Sequence, residues 1–368
     1  MLRSGFLSVA VALFVIGGCA RSQSTSASYR FENGVADSAA TAANSILDST
    51  GSAHGTPAGS PVYRSDSPTG FVRSINSTSA LDALSLEFNG SSQSATVMTT
   101  FPFHQPGDAT VEFYLKTPAT GHQSVLWTRL GSTDANRFNI FINANSTIGF
   151  DYRTPSGALH LLVGQCCTGV SIPRNAWVHV AIVRQANTYL LYLNGKLSAS
   201  ATDSNTQLPN TVGWSISGRS GNMLNGRVSE LRFSSSALDP VDFLTDFETM
   251  GFGLPGTEDV TPSLGGIGGR DAGGTVSLFV AEAVPNAAAF VGANIVAGNI
   301  PVFGTTFVPE ILNMSIIALP TDAQGVGFSC GVIPLGIPGG TTIFLQGLVY
   351  DLGSPLHYSM TNALRIDL

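Results

Sequence analysis

The sequence predicts an all-β protein built as two successive sandwiches, the second smaller than the first. Three observations carry this prediction. Charged residues make up only 11% of the chain, far below the usual quarter, while glycine, serine, threonine, asparagine and alanine are abundant. Short apolar or alternating runs recur at close intervals, bounded by turn residues, and none has a helix-length period. A Gly/Pro-rich stretch, 246–273, reads as a linker between a longer first part and a shorter, more apolar second part.

With 368 residues the chain is long enough for two domains with separate cores. A formal net charge of −7 with only 17 basic residues leaves no electrostatic footprint for nucleic acid. No nucleic-acid partner is expected.

Residues 1–18 have the layout of a signal peptide: Arg3, an apolar run Phe6–Ile16 too short to span a membrane, then Gly17-Gly18 before Cys19. Val15-Ile16-Gly17-Gly18-Cys19 resembles the bacterial lipoprotein box. That resemblance implies cleavage before Cys19, lipidation of its thiol and a stable anchor of several acyl chains. Gly17 is tolerated rather than preferred in that box, and ordinary cleavage nearby is the competing reading. Ala20 is not the inner-membrane retention aspartate, so the resemblance implies an exported protein at the outer membrane or cell surface. Residues 19–28 then read as the lipidated cysteine and a short polar tether.

The first domain, 29–245, opens on the alternating Tyr29-Arg30-Phe31-Glu32. A loop over residues 46–56 and an alternating strand, Leu84–Asn89, ending in an Asn-Gly turn, follow. Ala109–Lys116 places Val111, Phe113 and Leu115 on one face, the period-2 mark of a half-buried strand. Ser124–Arg129, Phe138–Asn143 and Thr147–Tyr152 continue as short strands. Trp177–Val183 and Tyr189–Leu193 are apolar on both faces and end at Asn194-Gly195, a hairpin turn. The domain closes on Leu224–Phe233 and the run Ala237-Leu238-Asp239-Pro240.

Four of these segments, in order, resemble the laminin-G-like, concanavalin A-like lectin/glucanase jelly roll. They are the Asp48…His54-Gly55-Thr56 loop, the Leu84–Ser92 strand and turn, the Trp177–Gly195 hairpin, and the Gly226–Pro240 close, which has Ser229 where aspartate is common. The resemblance implies rim loops or a sheet face that bind an extracellular glycan or protein, sometimes with calcium. It makes Asp48 the candidate calcium ligand and Tyr152, Tyr192 and Trp214 candidate platforms for sugar rings. Their competing readings are turn former and core filler.

Glycanases of this fold class align their carboxylates on one strand, in a Glu-x-Asp-x-(x)-Glu pattern that aims them into one cleft. Glu112 and Glu230 stand alone on their strands, and Asp242, Asp246 and Glu248 read as the solvated face of a short helical exit. The six histidines have no metal spacing, and no nucleophile elbow or phosphate loop occurs. No catalytic residue is predicted, and the protein is expected not to be an enzyme.

Cys166-Cys167 is read as a vicinal disulfide clipping a loop, against a bond from one of the pair to Cys330. In the second domain, 274–368, strands are expected at Thr275–Ala281, Ile311–Leu319, Gly327–Ile333, Thr341–Tyr350 and Leu364–Leu368, forming a small β-sandwich. The turn around Asp322-Ala323, the strand bearing Gln346 and the Thr361–Leu364 close resemble an uncharacterised C-terminal β domain of exported bacterial proteins. That resemblance brings no activity. The expected function is non-catalytic surface binding or adhesion, the alternative a structural protein of the envelope.

Overall fold

A computed structural model describes residues 25–51, 53–68, 71–72, 80–104, 107–118, 121–129, 135–163, 171–205, 209, 212–245, 247–269 and 272–368. Cys19, Cys166 and Cys167, and with them the signal peptide and the clipped loop, lie outside these residues. Among the described residues there is no α-helix, and no helix long and apolar enough to cross a membrane.

Two antiparallel sheets face each other in the first domain. One runs in the spatial order Lys196–Thr202, Thr188–Leu193, Val178–Gln185, Ala109–Lys116, Asn225–Ser234, Ser85–Asn89, Val62–Arg64, with Thr25–Tyr29 also pairing to Asn225–Ser234. The other, of seven strands, runs Leu159–Val163, Ile148–Arg153, Arg137–Ile142, Gln123–Arg129, Val212–Ser217, Ser94–Thr100, Gly55–Ala58. Period-2 alternation sends one set of side chains from each sheet into a shared core. Val111, Phe113, Val180, Ile182 and Leu191 come from the first sheet, and Phe138, Ile140, Phe150 and Ile216 from the second.

The tether expected up to residue 28 is shorter than the sequence suggested. Thr25–Tyr29 is a strand whose Ala27 and Tyr29 enter the core, with Ala27 opposite Phe233. Its small polar residues look unstructured in isolation, and the backbone ladder to Asn225–Ser234 supplies the order.

The linker reading of 246–273 also changes. Glu248–Met250 pairs with Tyr358–Asp367, and Ser263–Gly268 pairs with Thr275–Ala281. Gly265 and Gly266 are glycine because rings occupy the space of a side chain: a Cβ would overlap Phe279 at the first and Phe247 at the second. The expected helical exit is a single 3-10 turn, Pro240–Asp242, followed by extended chain. Asp242 is buried there and Glu248 sits in a strand, so neither belongs to a solvated helix face.

The second domain is a small sandwich. A five-stranded sheet, Glu248–Met250, Tyr358–Asp367, Thr342–Tyr350, Ala289–Asn294, Ser315–Ala318, covers a three-stranded one, Ser263–Gly268, Thr275–Ala281, Gly327–Val332. Leu264, Val280, Val291, Leu345, Val349 and Leu364 fill the space between.

The two domains share a hydrophobic contact, and this explains the doubly apolar hairpin. Val180, Ile182, Tyr189 and Leu191 face the first core, whereas Ala181, Val183, Leu190 and Tyr192 face the other way. There they meet Phe243 and, from the second domain, Ile267, Phe279 and Ala281. The Asn194-Gly195 turn forms as expected, with φ of +49° and +73°. It also abuts the second domain, since Ser277 Oγ donates to the Asn194 carbonyl at 2.6 Å.

Candidate ligand-binding face

The outer face of the seven-stranded sheet carries polar and charged side chains in register. On Arg137–Ile142 the core takes Phe138, Ile140 and Ile142, so Arg137, Asn139 and Phe141 point outward. On Ile148–Arg153 the same logic puts Asp151 and Arg153 outward. Register aligns them: Asn139 lies between Trp127 and Asp151, and Trp127 lies beside Ser215. The next row along the strands is Arg129, Arg137 and Arg153.

Trp127 is held between two guanidinium groups, Arg137 Cζ at 5.5 Å and Arg219 Cζ at 5.0 Å from its ring centroid. Both distances lie within cation–π range. Arg219 Nη1 approaches His122 Nε2 at 3.3 Å, and the imidazole packs on Phe141 with centroids 5.0 Å apart. Burial pushes the His122 pKa down, and Arg219 and Arg137 push it further, so the ring is neutral at pH 7 and its Nε2 accepts from Arg219.

Arg137 Nη2 lies 3.4 Å from Asp151 Oδ1. Burial raises the Asp151 pKa above the ordinary carboxylate value, and the pull of Arg137, Arg219 and Arg153 does not fully reverse it. Asn139 completes the row. It is 0% exposed, yet neither its amide nitrogen nor its amide oxygen has a hydrogen-bond partner. A buried amide left unsatisfied costs about 1–3 kcal/mol, which a bound water or other partner would offset.

Two further clusters involve acids. Glu112, on the outer face of the first sheet, pairs with Arg232 and His179 and accepts from the Leu244 backbone N–H at 2.9 Å. Burial raises its pKa, but Arg232 and His179 outweigh that, and the carboxyl ends below its ordinary value. Glu32, Asp82 and Glu230 form the second cluster, each with a carboxylate oxygen within 4.8 Å of the others. A bulge in the pairing of Asn225–Ser234 with Ala109–Lys116, where Glu230 has φ +50°, turns Glu230 into this group. Burial lifts its pKa to about 7 despite Arg30, whose Nε donates to Glu230 Oε1 at 2.8 Å. Arg30 and, at longer range, Arg232 act on Glu230, and the all-oxygen donor set of the cluster suits calcium, which prefers oxygen ligands. Glu32, Asp82 and Glu230 are the residues that would hold such an ion.

Residues 89–242 match the family model of the concanavalin A-like lectin/glucanases superfamily. The first domain is a concanavalin A-like jelly roll. Domain 4 of a GH43 extracellular arabinanase from Geobacillus stearothermophilus, solved with arabinotriose, is similar at 16% identity and TM-score 0.42, over 60% of this chain and 96% of that one. The CBM40 of a Ruminococcus gnavus IT-sialidase, bound to α2,3-sialyllactose, is similar at 14% identity and TM-score 0.33, over 42% and 92%. The botulinum neurotoxin serotype D binding domain is similar at 10% identity and TM-score 0.40, over 94% and 93%. No curated protein matches the sequence.

The residues expected to bind are placed elsewhere in the jelly roll. Trp214 is a core residue, packed against Tyr29 and Phe233 at 5.4 and 5.2 Å, and presents no face to a ligand. Tyr152 also faces inward, with its hydroxyl donating to Asp203 Oδ2 at 2.7 Å and its ring stacked on His160. Tyr192 packs on Phe243 at the contact between domains. Asp48 closes its own loop: Oδ1 accepts from the Ser28 and Thr50 backbones, both at 3.0 Å, and from Thr50 Oγ1. Burial raises its pKa, and these bonds together with one from Ala53 reverse that and hold it below the ordinary value. Asp48 is therefore a loop former and lies outside the three-carboxylate group. Cys330, half-buried in Gly327–Val332, is free among the described residues, and its two possible partners, Cys166 and Cys167, lie outside them.

Sequence reading missed the outer face because its residues are scattered along the chain. One signal was present: RFNIFI and FDYR alternate large apolar residues with Arg137, Asn139, Asp151 and Arg153, a pattern that gives a polar face to a sheet.

Proposed function

We propose that the protein is a non-catalytic binding protein that recognises an extracellular glycan through the outer face of the seven-stranded sheet. The observation that carries this reading is the match of residues 89–242, which include every strand of that face but Gly55–Ala58, to a lectin/glucanase superfamily. Trp127 and Asn139 are buried on that face, so a sugar would meet first the half-buried Arg153 and Arg219 beside them. The occupation of Glu112 by Arg232, His179 and the Leu244 N–H favours a structural over an acid–base role for that carboxylate.

The protein acts outside the cytoplasm in this account, exported by residues 1–18 and held at the outer membrane or cell surface by lipid on Cys19. Detergent phase partitioning of wild type against Cys19→Ser tests the anchor, and recovery of both in the aqueous phase refutes it. A glycan array with wild type and Trp127→Ala tests the binding. Retention of a glycan by wild type and its loss in the variant support the reading.

A second reading, a structural protein of the envelope, draws on one observation. Phe290, Ile316, Leu348 and Tyr350 are exposed on the five-stranded sheet of the second domain, an apolar surface of the kind that packs against neighbours. Absence of glycan binding, with self-association or co-purification through that sheet, favours it.

A further inference from the structure

We infer that the second domain makes a contact of its own with a lipid bilayer, by inserting an aliphatic tip formed from two neighbouring turns. This inference rests on the reading of Cys19 as a lipid anchor, which makes a bilayer the surface at hand, and adds a site that the anchor does not supply.

The tip joins the turn after Ala289–Asn294 to the turn before Ser315–Ala318. Ile295 and Val296 stand on the first, 61% and 53% exposed, and Ile311 and Leu312 on the second, 56% and 75% exposed. Single exposed aliphatic residues are ordinary, but four on adjoining turns form a patch that water disfavours. Hydrogen bonds lock the two turns together. Asn294 Nδ2 donates to the Glu310 and Leu312 carbonyls at 2.7 and 2.9 Å, and the Glu310 N–H donates to the Val296 carbonyl at 2.9 Å. Asn294 Oδ1 accepts from the Val296 N–H, and Glu310 Oε1 accepts from the Ile311 and Leu312 N–H groups. These backbone groups are paired inside the tip, which lowers the cost of taking it out of water.

Three features favour lipid over a protein partner. The four exposed side chains include no aromatic ring, methionine or arginine, the types enriched at protein interfaces, where leucine and valine rarely carry the binding energy. They also fall short of the about 800 Å² that each partner contributes to a stable interface. Charge is scarce as well: residues 274–368 carry only Glu282, Glu310, Asp322, Asp351, Arg365 and Asp367. That balance steers the domain to no anionic surface and leaves insertion to the apolar side chains. Cys19 lies six residues before Thr25, where the first strand begins, so roughly 20 Å of chain at most separates anchor from fold. Lipid on Cys19 keeps the tip at high effective concentration beside the bilayer, and a weak second contact then suffices to orient the protein.

The test is flotation of the chain from Ala20 onward, which keeps every described residue and carries no lipid, with uncharged phosphatidylcholine vesicles. The chain is expected to float with the vesicles at low and at high salt. Ile311→Ser combined with Leu312→Ser is expected to weaken vesicle partitioning roughly tenfold or more, with the melting temperature unchanged. Leu197→Ser, at a leucine of the first domain that is 50% exposed, is expected to leave partitioning unchanged. Failure to float, an equal loss in Leu197→Ser, or binding only to anionic vesicles overturns the inference. Association in the absence of vesicles that the double variant abolishes overturns it in favour of a second copy of the chain. Detergent partitioning of the lipidated wild type reads the anchor separately. A wild type in the detergent phase whose unlipidated chain does not float keeps the anchor and loses the tip; a floating chain whose wild type stays aqueous keeps the tip and loses the anchor.

Discussion

Glu112 and His179 face each other on adjacent strands inside the protein, Oε2 and Nε2 2.9 Å apart, with neither side chain reaching solvent. Arg232 completes the group, and it also donates to the Asp242 carbonyl at 2.8 Å. The Leu244 N–H reaches Glu112 and the Leu244 carbonyl accepts from Tyr114 Oη. A buried polar network thus fastens the chain leaving the jelly roll to the sheet it has just completed. Phe243, between those anchors, is delivered to the contact between domains, with its ring 5.5 Å from His179 and 5.2 Å from Tyr192.

Removing the Glu112 charge strands Arg232 in the interior. Glu112→Gln is expected to cost about 3–5 kcal/mol, the usual penalty for breaking one partner out of a buried ion pair. Urea denaturation checks it, and a loss below about 1 kcal/mol contradicts a buried network of this kind.

The same carboxyl sets a pH dependence. Its folded pKa lies below the ordinary 4.5, so its stabilisation is complete above that value and is lost as pH falls through the folded value. Wild type is expected to lose melting temperature between pH 5 and pH 3 more steeply than Glu112→Gln. Parallel curves for the two proteins contradict the assignment.

Phe243→Ala empties a fully buried site shared by both domains. A cost of about 3–5 kcal/mol is expected, as for other buried aromatic truncations. Calorimetry is expected to show the domains unfolding less cooperatively than in wild type, together with faster proteolysis between residues 236 and 262.

Calcium is expected to raise the melting temperature of wild type, and Glu230→Gln is expected to remove most of that rise, because Glu230 belongs to the three-carboxylate cluster. Asp48→Asn is expected to keep the calcium response, since Asp48 is engaged by its own loop. A response lost in Asp48→Asn and kept in Glu230→Gln reverses the assignment.

The fold was legible where local pattern and turn chemistry agree. Thr188–Leu193 alternates half-buried and buried residues, ATVEFYLK, Val178–Gln185 and the Gly226–Phe233 close are buried almost throughout as doubly covered strands, and the Asn194-Gly195 turn names its own geometry. Strands whose order comes from neighbours were not legible. TSASY and SLGGIG look like tether and linker because their side chains are small, and the reason for that smallness, an adjacent backbone or a ring, lies elsewhere in the chain. The site failed for a related reason. Trp127, Asn139 and Asp151 meet only through strand register, and the bulge between Ile140 and Phe141 in that register is invisible in sequence. Aromatic content drew attention to Trp214 and Tyr152, which the core needed. The cue that mattered was polar residues at the off-beat of apolar strands.

The account turns on the outer face of the seven-stranded sheet, and one measurement tests it most directly: binding of the wild-type chain and of Trp127→Ala to a broad glycan array at matched folding. The account predicts retention of glycans by the wild type and loss of at least tenfold in affinity for Trp127→Ala, roughly the effect of one aromatic platform. Undiminished binding by Trp127→Ala would contradict it, as would the absence of any glycan bound by the wild type.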